Sequence, residues 1–104
     1  MTPVIVLTTV GADFDAAPLA RSLVEQRLAA CVNIVPQIRS TYRWQGAIET
    51  DAEQLLMIKT VDERLDALQS ALLSEHPYDV PEFVVIRPDE VRGPYREWLF
   101  DAVR

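Results

Sequence analysis

The stretch that decides the fold reads CVNIVPQIRSTYRWQGAIETDAEQLLMIKT and spans residues 31–60. Two long runs of strand-forming residues, Cys31 to Trp44 and Ala47 to Thr60, flank a Gln-Gly dipeptide that supplies a tight turn. This pattern predicts a long β-hairpin. Pro36 interrupts the first run, and because proline cannot donate to a strand ladder, it predicts an edge position or a bulge.

The residues before the hairpin predict a strand and then a helix. The run from Pro3 to Val10 is rich in β-branched residues and ends at Gly11, which predicts a strand buried on both faces. Residues 15–30 show helical spacing, with Asp15 as a candidate cap and Pro18 in the first turn. One face of this helix is predicted to carry Ala20, Leu23, Val24, Arg27 and Leu28.

The residues after the hairpin predict a helix, a strand and a final helix. Thr60 and Glu63 match a capping box, and Pro77 ends the helix that follows. A strand is predicted from Glu82 to Arg87, and the last helix begins with Pro94 at its first position. The inner faces are predicted to carry Val61, Leu65, Leu68 and Leu72 in the first helix, and Tyr95, Trp98, Leu99 and Ala102 in the second.

The element order βαββαβ with a C-terminal helix is the ferredoxin-like, split βαβ pattern of an α+β domain. We predict one domain over residues 1–104, with the strands in the spatial order four, one, three, two. We also predict that strands one and three run parallel at the centre. That arrangement places Lys59 at the same end of the sheet as Glu82, where the loop SEHPYDVPE brings His76 and Tyr78. A ligand pocket is one interpretation, and a surface ion pair between Lys59 and Glu82 is the other.

Composition narrows the classes of function. The chain carries a net charge of −6 and a single lysine, so it lacks the basic stripe that nucleic-acid binding requires. Its one cysteine excludes an internal disulfide and fits a reducing compartment. The N-terminal apolar run is too short for a membrane span or a signal sequence. We therefore expect a cytoplasmic protein that binds neither nucleic acid nor membrane.

His76 and Glu75 are the candidate metal ligands. Imidazole and carboxylate groups suit divalent metals, and oxygens of Tyr78, Asp79 and Glu82 follow closely along the chain. One histidine and one cysteine cannot form a closed zinc site of the usual kind, so several copies of the chain would have to contribute. The alternative is a structural or exposed histidine in a stiff turn, which is the commoner role for a lone histidine.

Enzyme chemistry has little support in the sequence. No serine nucleophile motif, P-loop or GxGxxG motif occurs. Cys31 lies at a helix-to-strand joint, where a small buried hydrophobe is expected, although a Cys31–His76 pair is the remaining enzymatic alternative. By contrast, Tyr42 and Trp44 lie on one face of the hairpin near its tip, and we expect them to contact another subunit rather than only pack within the sheet.

Five segments resemble the CutA family, the divalent-cation tolerance proteins. The resemblance extends over nearly the whole chain. The segments are LAACVNIVP (28–36), YRWQGAIE (42–49), MIKT (57–60), HPYDVPE (76–82) and YREWL (95–99). The resemblance implies a ferredoxin-like fold and a tight homotrimer, similar in layout to the PII signalling proteins.

The same resemblance implies a cleft between subunits that collects Lys59, His76, Tyr78 and Glu82. It also implies divalent copper as a possible ligand, because copper binding is associated with some members. Two positions depart from the family pattern. Thr8 stands where some bacterial relatives have cysteine, and Glu75 stands where some have a second histidine. Both changes remove donors suited to copper.

We therefore expect a non-enzymatic homotrimer that binds a divalent metal ion of the copper type, or a small ligand, in inter-subunit clefts. Lys59 is expected to hold an anionic group, and Glu82 and His76 a cation, with Tyr78 packing beside the ligand. Trp44 completes the predicted binding residues. The alternatives are a stable trimeric scaffold for other proteins and a PII-like signalling protein.

Overall fold

The predicted hairpin is present and turns where the sequence indicates. In the computed structural model, which describes residues 1–104, β2 spans Cys31–Trp44 and β3 spans Ala47–Val61. Gln45 and Gly46 at the tip have φ values of 49° and 82°. Positive φ at both central residues defines the type I′ turn, whose twist matches that of the strands it joins.

The predicted irregularity at Pro36 is a bulge in an edge strand. The pairing of β2 with β3 shifts register between Val35 and Ile38, and Gln37 has a φ of 62°. β2 lies at the edge of the sheet, so the N–H that proline lacks costs little there.

The other elements follow in the predicted order. They are β1 (Pro3–Gly11), α1 (Ala17–Glu25), a 3₁₀ turn (Asp62–Arg64), α2 (Leu65–Glu75), β4 (Val84–Ile86) and α3 (Gly93–Val103). None of the three helices combines the length and the apolar character needed to cross a membrane.

The strand directions correct one prediction. The order β2-β3-β1-β4 confirms the predicted sheet, but β1 pairs with β3 antiparallel rather than parallel. Each βαβ crossover makes its own two strands parallel, and each pair is split by a strand of the opposite direction. Thr9 therefore lies opposite Leu55, and Lys59 pairs with Ile5, four residues further along β3.

One face of the sheet is covered by α1 and α2, and the other, here called the open face, is covered only at its Val61 end, where α3 packs. On the covered face, α1 and α2 bury alternate β1 residues, including Val6 and Thr8, in a core that Leu56 and Ile58 share. The residues between them, such as Leu7, are only half-buried. The prediction that β1 is buried on both faces is therefore wrong within the single chain.

The hairpin extends beyond the rest of the sheet. Pairing with β1 ends where Gly11 meets Glu53, and the residues 41–52, here called the hairpin overhang, are all exposed. The principal extents of the chain, 44 × 27 × 23 Å, reflect this projection. The predicted long hairpin is thus present and projects beyond the sheet.

The first helix differs from its prediction at both ends. It ends at Glu25 because Arg27 adopts a φ of 59° and the N–H of Leu28 donates to the carbonyl of Leu23. That left-handed turn resembles a Schellman termination without the glycine that would have announced it. At the start, the N-cap is Ala16, and Asp15 accepts a hydrogen bond from the N–H of Ala17 at 3.4 Å.

The capping box is the second local error. Thr60 still belongs to β3, and its hydroxyl donates to the carbonyl of Leu28 at 2.7 Å. Val61 therefore ends the strand instead of opening the helix, and the helix core is formed by Leu68 and Leu72. The chain leaves the strand through the 3₁₀ turn before α2 begins.

The last helix buries a narrower face than predicted. Leu99 and Val103 form a second small core with Ala30 and Val61. Tyr95 and Trp98 are 41% and 47% exposed, and their ring centroids lie 5.3 Å apart.

Candidate functional site

A cleft lies where the loop between α2 and β4 folds against the base of the hairpin overhang. Its volume is about 560 Å³. The aromatic walls are Tyr42 and Trp44 from β2 and Tyr78 from the loop. The cleft therefore combines side chains from segments that are far apart in the sequence, which is the arrangement expected of a binding site.

Tyr78 is fixed at one wall by a buried carboxylate. Its hydroxyl donates to Oε2 of Glu53 at 2.6 Å, and Glu53 is only 7% exposed. Burial first, and then the hydrogen bond to Glu53, raise the pKa of Tyr78 well above its ordinary value. The phenol consequently remains a neutral donor at physiological pH.

His76 holds the loop against β1. Its Nδ1 accepts from the N–H of Tyr78 at 3.1 Å, so the proton of the neutral ring lies on Nε2. Nε2 then donates to the carbonyl of Thr9 at 3.0 Å and lies 3.2 Å from the hydroxyl of Thr8. Burial lowers the pKa of His76, against smaller raising effects of the Thr9 carbonyl and Glu53. These contacts give His76 a structural role within the subunit.

Lys59 does not join this cleft, and the prediction that it lies beside Glu82 is wrong. Thr9 and Glu82 both line the cleft, whereas Lys59 lies four residues along β3 from the partner of Thr9, about 13 Å away at strand spacing. The ammonium group of Lys59 instead lies 6.0 Å from the centre of the Tyr95 ring. No ion pair joins Lys59 to Glu82.

The candidate metal ligands do not form a cluster within one chain. Glu75 is exposed at the last turn of α2, and both ring nitrogens of His76 are used in hydrogen bonds. No group of three or more histidine, cysteine, aspartate or glutamate side chains is arranged to hold a metal ion. Cys31 pairs with Lys59 at the other end of the sheet, which separates it from His76 and removes the geometric basis for a nucleophile–base pair.

Of the four predicted binding residues, Trp44, Tyr78 and Glu82 line the cleft and Lys59 does not. Sequence reasoning missed Glu53 as a lining residue. The position of Glu53 follows from an antiparallel β1–β3 pair. Leu55 then lies opposite Thr9, and Glu53, two residues before Leu55, lies on the same face of the sheet. The prediction that β1 and β3 are parallel concealed this relation.

The lining carries negative charge only. Its ionisable groups are the carboxylates of Glu53, Asp79 and Glu82 and the phenols of Tyr42 and Tyr78, and no lysine, arginine or histidine belongs to it. Tyr42 also donates to a carboxylate, that of Asp51. A site of this kind favours a cation and disfavours an anion.

Comparison with known proteins gives a consistent result. The family model described as CutA1 divalent ion tolerance protein matches residues 4–102. A divalent-cation tolerance protein CutA of Thermus thermophilus is 45% identical over 95 residues, which cover 91% of this chain and 92% of the relative. A Protein CutA homolog of Xenopus laevis is 46% identical over 91 residues, which cover 88% of this chain.

A solved structure shares the fold in detail. The crystal structure of CutA1 from Oryza sativa superposes with a TM-score of 0.92 at 43% identity, covering 98% of this chain and 94% of that one. The chain spans 60%, 57% and 47% of the length of the first three curated relatives it matches, which come from Xenopus laevis, Oryza sativa and Homo sapiens.

Proposed function

The chain belongs to the CutA1 divalent ion tolerance family, and from that premise we propose that it is a non-enzymatic homotrimer that binds a cation in the cleft. The cation is a divalent metal ion of the copper type or a small organic ligand. One observation carries the proposal, namely that the cleft is lined by three carboxylates and no cationic side chain. The negative charge of the lining as a whole, rather than any single residue, supports cation binding.

Each predicted binding residue of the cleft has a role in this proposal. Glu82 supplies negative charge beside Thr9, while Trp44 and Tyr78 supply apolar walls that exclude water. Lys59 takes no part in binding within its own subunit. An anionic ligand, which Lys59 was expected to hold, does not fit the proposal, because three carboxylates would repel it.

Metal binding at His76 would require a rearrangement. A metal ion on either ring nitrogen must displace a hydrogen bond, to the N–H of Tyr78 at Nδ1 or to the carbonyl of Thr9 at Nε2. Copper binding is therefore expected to alter the loop or to recruit donors from a second copy of the chain. The exposed Glu75 is free to supply one such donor.

The open face of the sheet supports the homotrimer. Ile5, Leu7, Leu55 and Met57 lie there half-buried, and Val84 and Ile86 at its edge are 47% and 42% exposed. A contiguous apolar face of this kind on a small domain indicates an assembly surface. The hairpin overhang, with Trp44 44% exposed, adds a second apolar surface.

Calorimetric titration of the purified protein tests the binding role. Copper, zinc and common nucleotides are titrated against the unaltered protein and against Glu82→Gln. The matched control is Glu90→Gln, which removes the same charge from an exposed position outside the cleft lining. We expect a cation to bind, with weaker binding only in Glu82→Gln. No heat with copper or zinc would rule out the metal ion as the ligand, and equal binding by both variants would contradict binding in the cleft.

A trimeric scaffold for other proteins is the second candidate function. The hairpin overhang favours it, because residues 41–52 leave the subunit core entirely and place apolar surface at a distance. Incubating an immobilised intact trimer with cell extract, beside a Trp44→Ala trimer, separates the two functions. A specific partner that binds the unaltered trimer but not the Trp44→Ala trimer, together with no heat of binding in the calorimetric titration, would favour the scaffold.

A further inference from the structure

We propose that the cleft selects an organic cation with primary ammonium groups, such as an alkyl diamine, and that Glu53 is the carboxylate that receives one of them. This inference rests on the binding role proposed above and narrows it to one class of ligand.

The hairpin separates its charges by face. Directly opposed residues of an antiparallel pair lie on the same face, so the cleft face carries the pairs Ile38–Glu53, Ser40–Asp51, Tyr42–Glu49 and Trp44–Ala47. The other face carries Arg39–Ala52, Thr41–Thr50 and Arg43–Ile48. Three carboxylates thus lie on the cleft side and both arginines on the far side, so the negative field of the cleft extends along the hairpin.

Glu53 is a buried carboxylate with one oxygen left unpaired. The residue is 93% buried, by difference from its 7% exposure, and its Oε2 is occupied by the Tyr78 hydroxyl. No group of the chain donates to Oε1, yet no fully buried side-chain oxygen lacks a partner. Oε1 must therefore keep contact with open space, and the open space that Glu53 adjoins is the cleft. A charged acceptor held in this way is prepared for a donor from outside the chain.

The walls favour an organic cation over a bare metal ion. A cavity of about 560 Å³ is far larger than a metal ion needs, and no three donors converge as a metal site demands. The three aromatic rings of Tyr42, Trp44 and Tyr78 instead offer the faces on which ammonium groups bind through cation–π attraction.

The remaining polar groups favour primary over quaternary ammonium. Thr9 and Ser40 line the cleft with hydroxyl groups that accept hydrogen bonds, beside the free oxygen of Glu53. A primary ammonium has three N–H donors to match them, whereas a quaternary ammonium has none. Asp79 and Glu82 line the same cleft and provide charge for a second ammonium, so a diamine fits better than a monoamine.

Titration with 1,4-diaminobutane tests the inference, using the full chain in its native assembly at low ionic strength. We expect saturable binding that weakens with added salt. Glu53→Gln should raise Kd at least about tenfold, because it removes a charge-assisted hydrogen bond while retaining an acceptor for Tyr78. Glu90→Gln, an exposed acid outside the cleft lining, should leave Kd unchanged. Thermal unfolding of each variant confirms that the fold is retained. If Glu53→Gln does not fold, Ser40→Ala and Glu82→Gln take its place, and both should weaken binding.

The outcomes separate this inference from the broader proposal. Diamine binding that is unchanged in the cleft variants, or tetramethylammonium binding as tightly as 1,4-diaminobutane, overturns the inference. Copper or zinc binding without any diamine binding also overturns it but leaves cation binding intact. If neither the metals nor the diamine bind, both this inference and the proposed cation binding are overturned.

Discussion

The sheet body and the hairpin overhang are formed from the same two strands, yet different interactions hold them. In the body, β3 pairs with β1 from Glu53 to Val61 and with β2 as far as Lys59, and Leu56 and Ile58 are fully buried under the helices. In the overhang, β2 and β3 pair with each other, the carbonyl of Ala52 accepts from the N–H of Ala12, and every residue from 41 to 52 is exposed. The body is stabilised by apolar burial, whereas the overhang is held by its turn and by the pairing of its two strands.

That difference bears on assembly. A two-stranded ribbon is marginally stable in water unless a third surface covers it. The overhang therefore needs a neighbour that the single chain does not provide, and the half-buried open face has the same need. Both surfaces favour the proposed homotrimer, and the cleft lies at the base of the overhang, between the two regions.

The largest expected effect is a difference in the free energy of unfolding between substitutions on the covered face and on the open face of β3. Leu56→Ala leaves a cavity in the core and should lower the free energy of unfolding by about 2–5 kcal/mol. Leu55→Ala removes the same atoms one residue earlier, on the half-buried face, and should cost less in the dissociated subunit. Urea unfolding across a range of protein concentrations measures both.

Concentration provides the control for this pair. Assembly stabilises the folded state by mass action, so the cost of Leu55→Ala should grow as the trimer forms, while that of Leu56→Ala should not. Equal costs for both variants in the most dilute samples would contradict the two-face description.

The next effect concerns the overhang itself. Trp44→Ala should weaken trimer association at least about tenfold, since buried aromatic anchors dominate interface energies, and should change subunit stability less. Trp98→Ala is the matched control because Trp98 is 47% exposed but lies on α3, away from the cleft. Light scattering over a dilution series gives the mass. A trimer that survives dilution equally in both variants would place Trp44 outside the interface.

Much of this fold was predictable because its signals are local. Gly46 marked the turn, Pro36 marked the bulge, and both follow from what these residues can and cannot do with their backbones. The sheet order followed from the rule that βαβ crossovers are right-handed. The strand directions required one further step. Two interleaved βαβ crossovers make the two central strands antiparallel, and the prediction that they are parallel placed Lys59 at the wrong end of the sheet.

The remaining errors have a different physical origin. Arg27 adopts a left-handed conformation that only glycine or asparagine would have announced. Thr60 satisfies a capping motif in sequence, yet its hydroxyl bonds to Leu28, 32 residues earlier in the chain. The carboxylate of Glu53 is buried and accepts a hydrogen bond from Tyr78, 25 residues later in the chain. Tertiary contacts override local patterns in the last two cases, and no periodicity within one element reveals them.

A smaller effect concerns the loop that joins the two regions. Burial lowers the pKa of His76 from its ordinary value of 6.5, so the unfolded chain takes up a proton at a higher pH than the folded one. The His76 contribution is complete above about pH 6.5 and is lost as pH falls through the folded pKa. Unfolding measured from pH 8 to 5 should show this loss.

His76→Gln is the matched variant for the pH experiment. Its amide can still donate to Thr9, but it does not titrate, so the difference in stability between the two proteins should change with pH in that window. Parallel stability curves for the two proteins would show that His76 does not hold its loop as a neutral ring.

The smallest effect is at the tip of the overhang. Gln45 has a φ of 49°, a conformation that asparagine adopts more readily than glutamine, and Asn-Gly is the preferred pair for a type I′ turn. Gln45→Asn should therefore raise the free energy of unfolding by about 0.5 kcal/mol, the scale of effects that act through backbone preference. Denaturant midpoints at one fixed, trimer-forming concentration measure the gain, with Gln26→Asn as the control, because Gln26 has a φ of −80° and derives no such benefit. Because the overhang lacks a core of its own, backbone preference is one of the few contributions it receives from within the subunit. A loss of stability in Gln45→Asn would instead mean that the Gln45 side chain makes a contact in the assembly that outweighs the strain of its backbone.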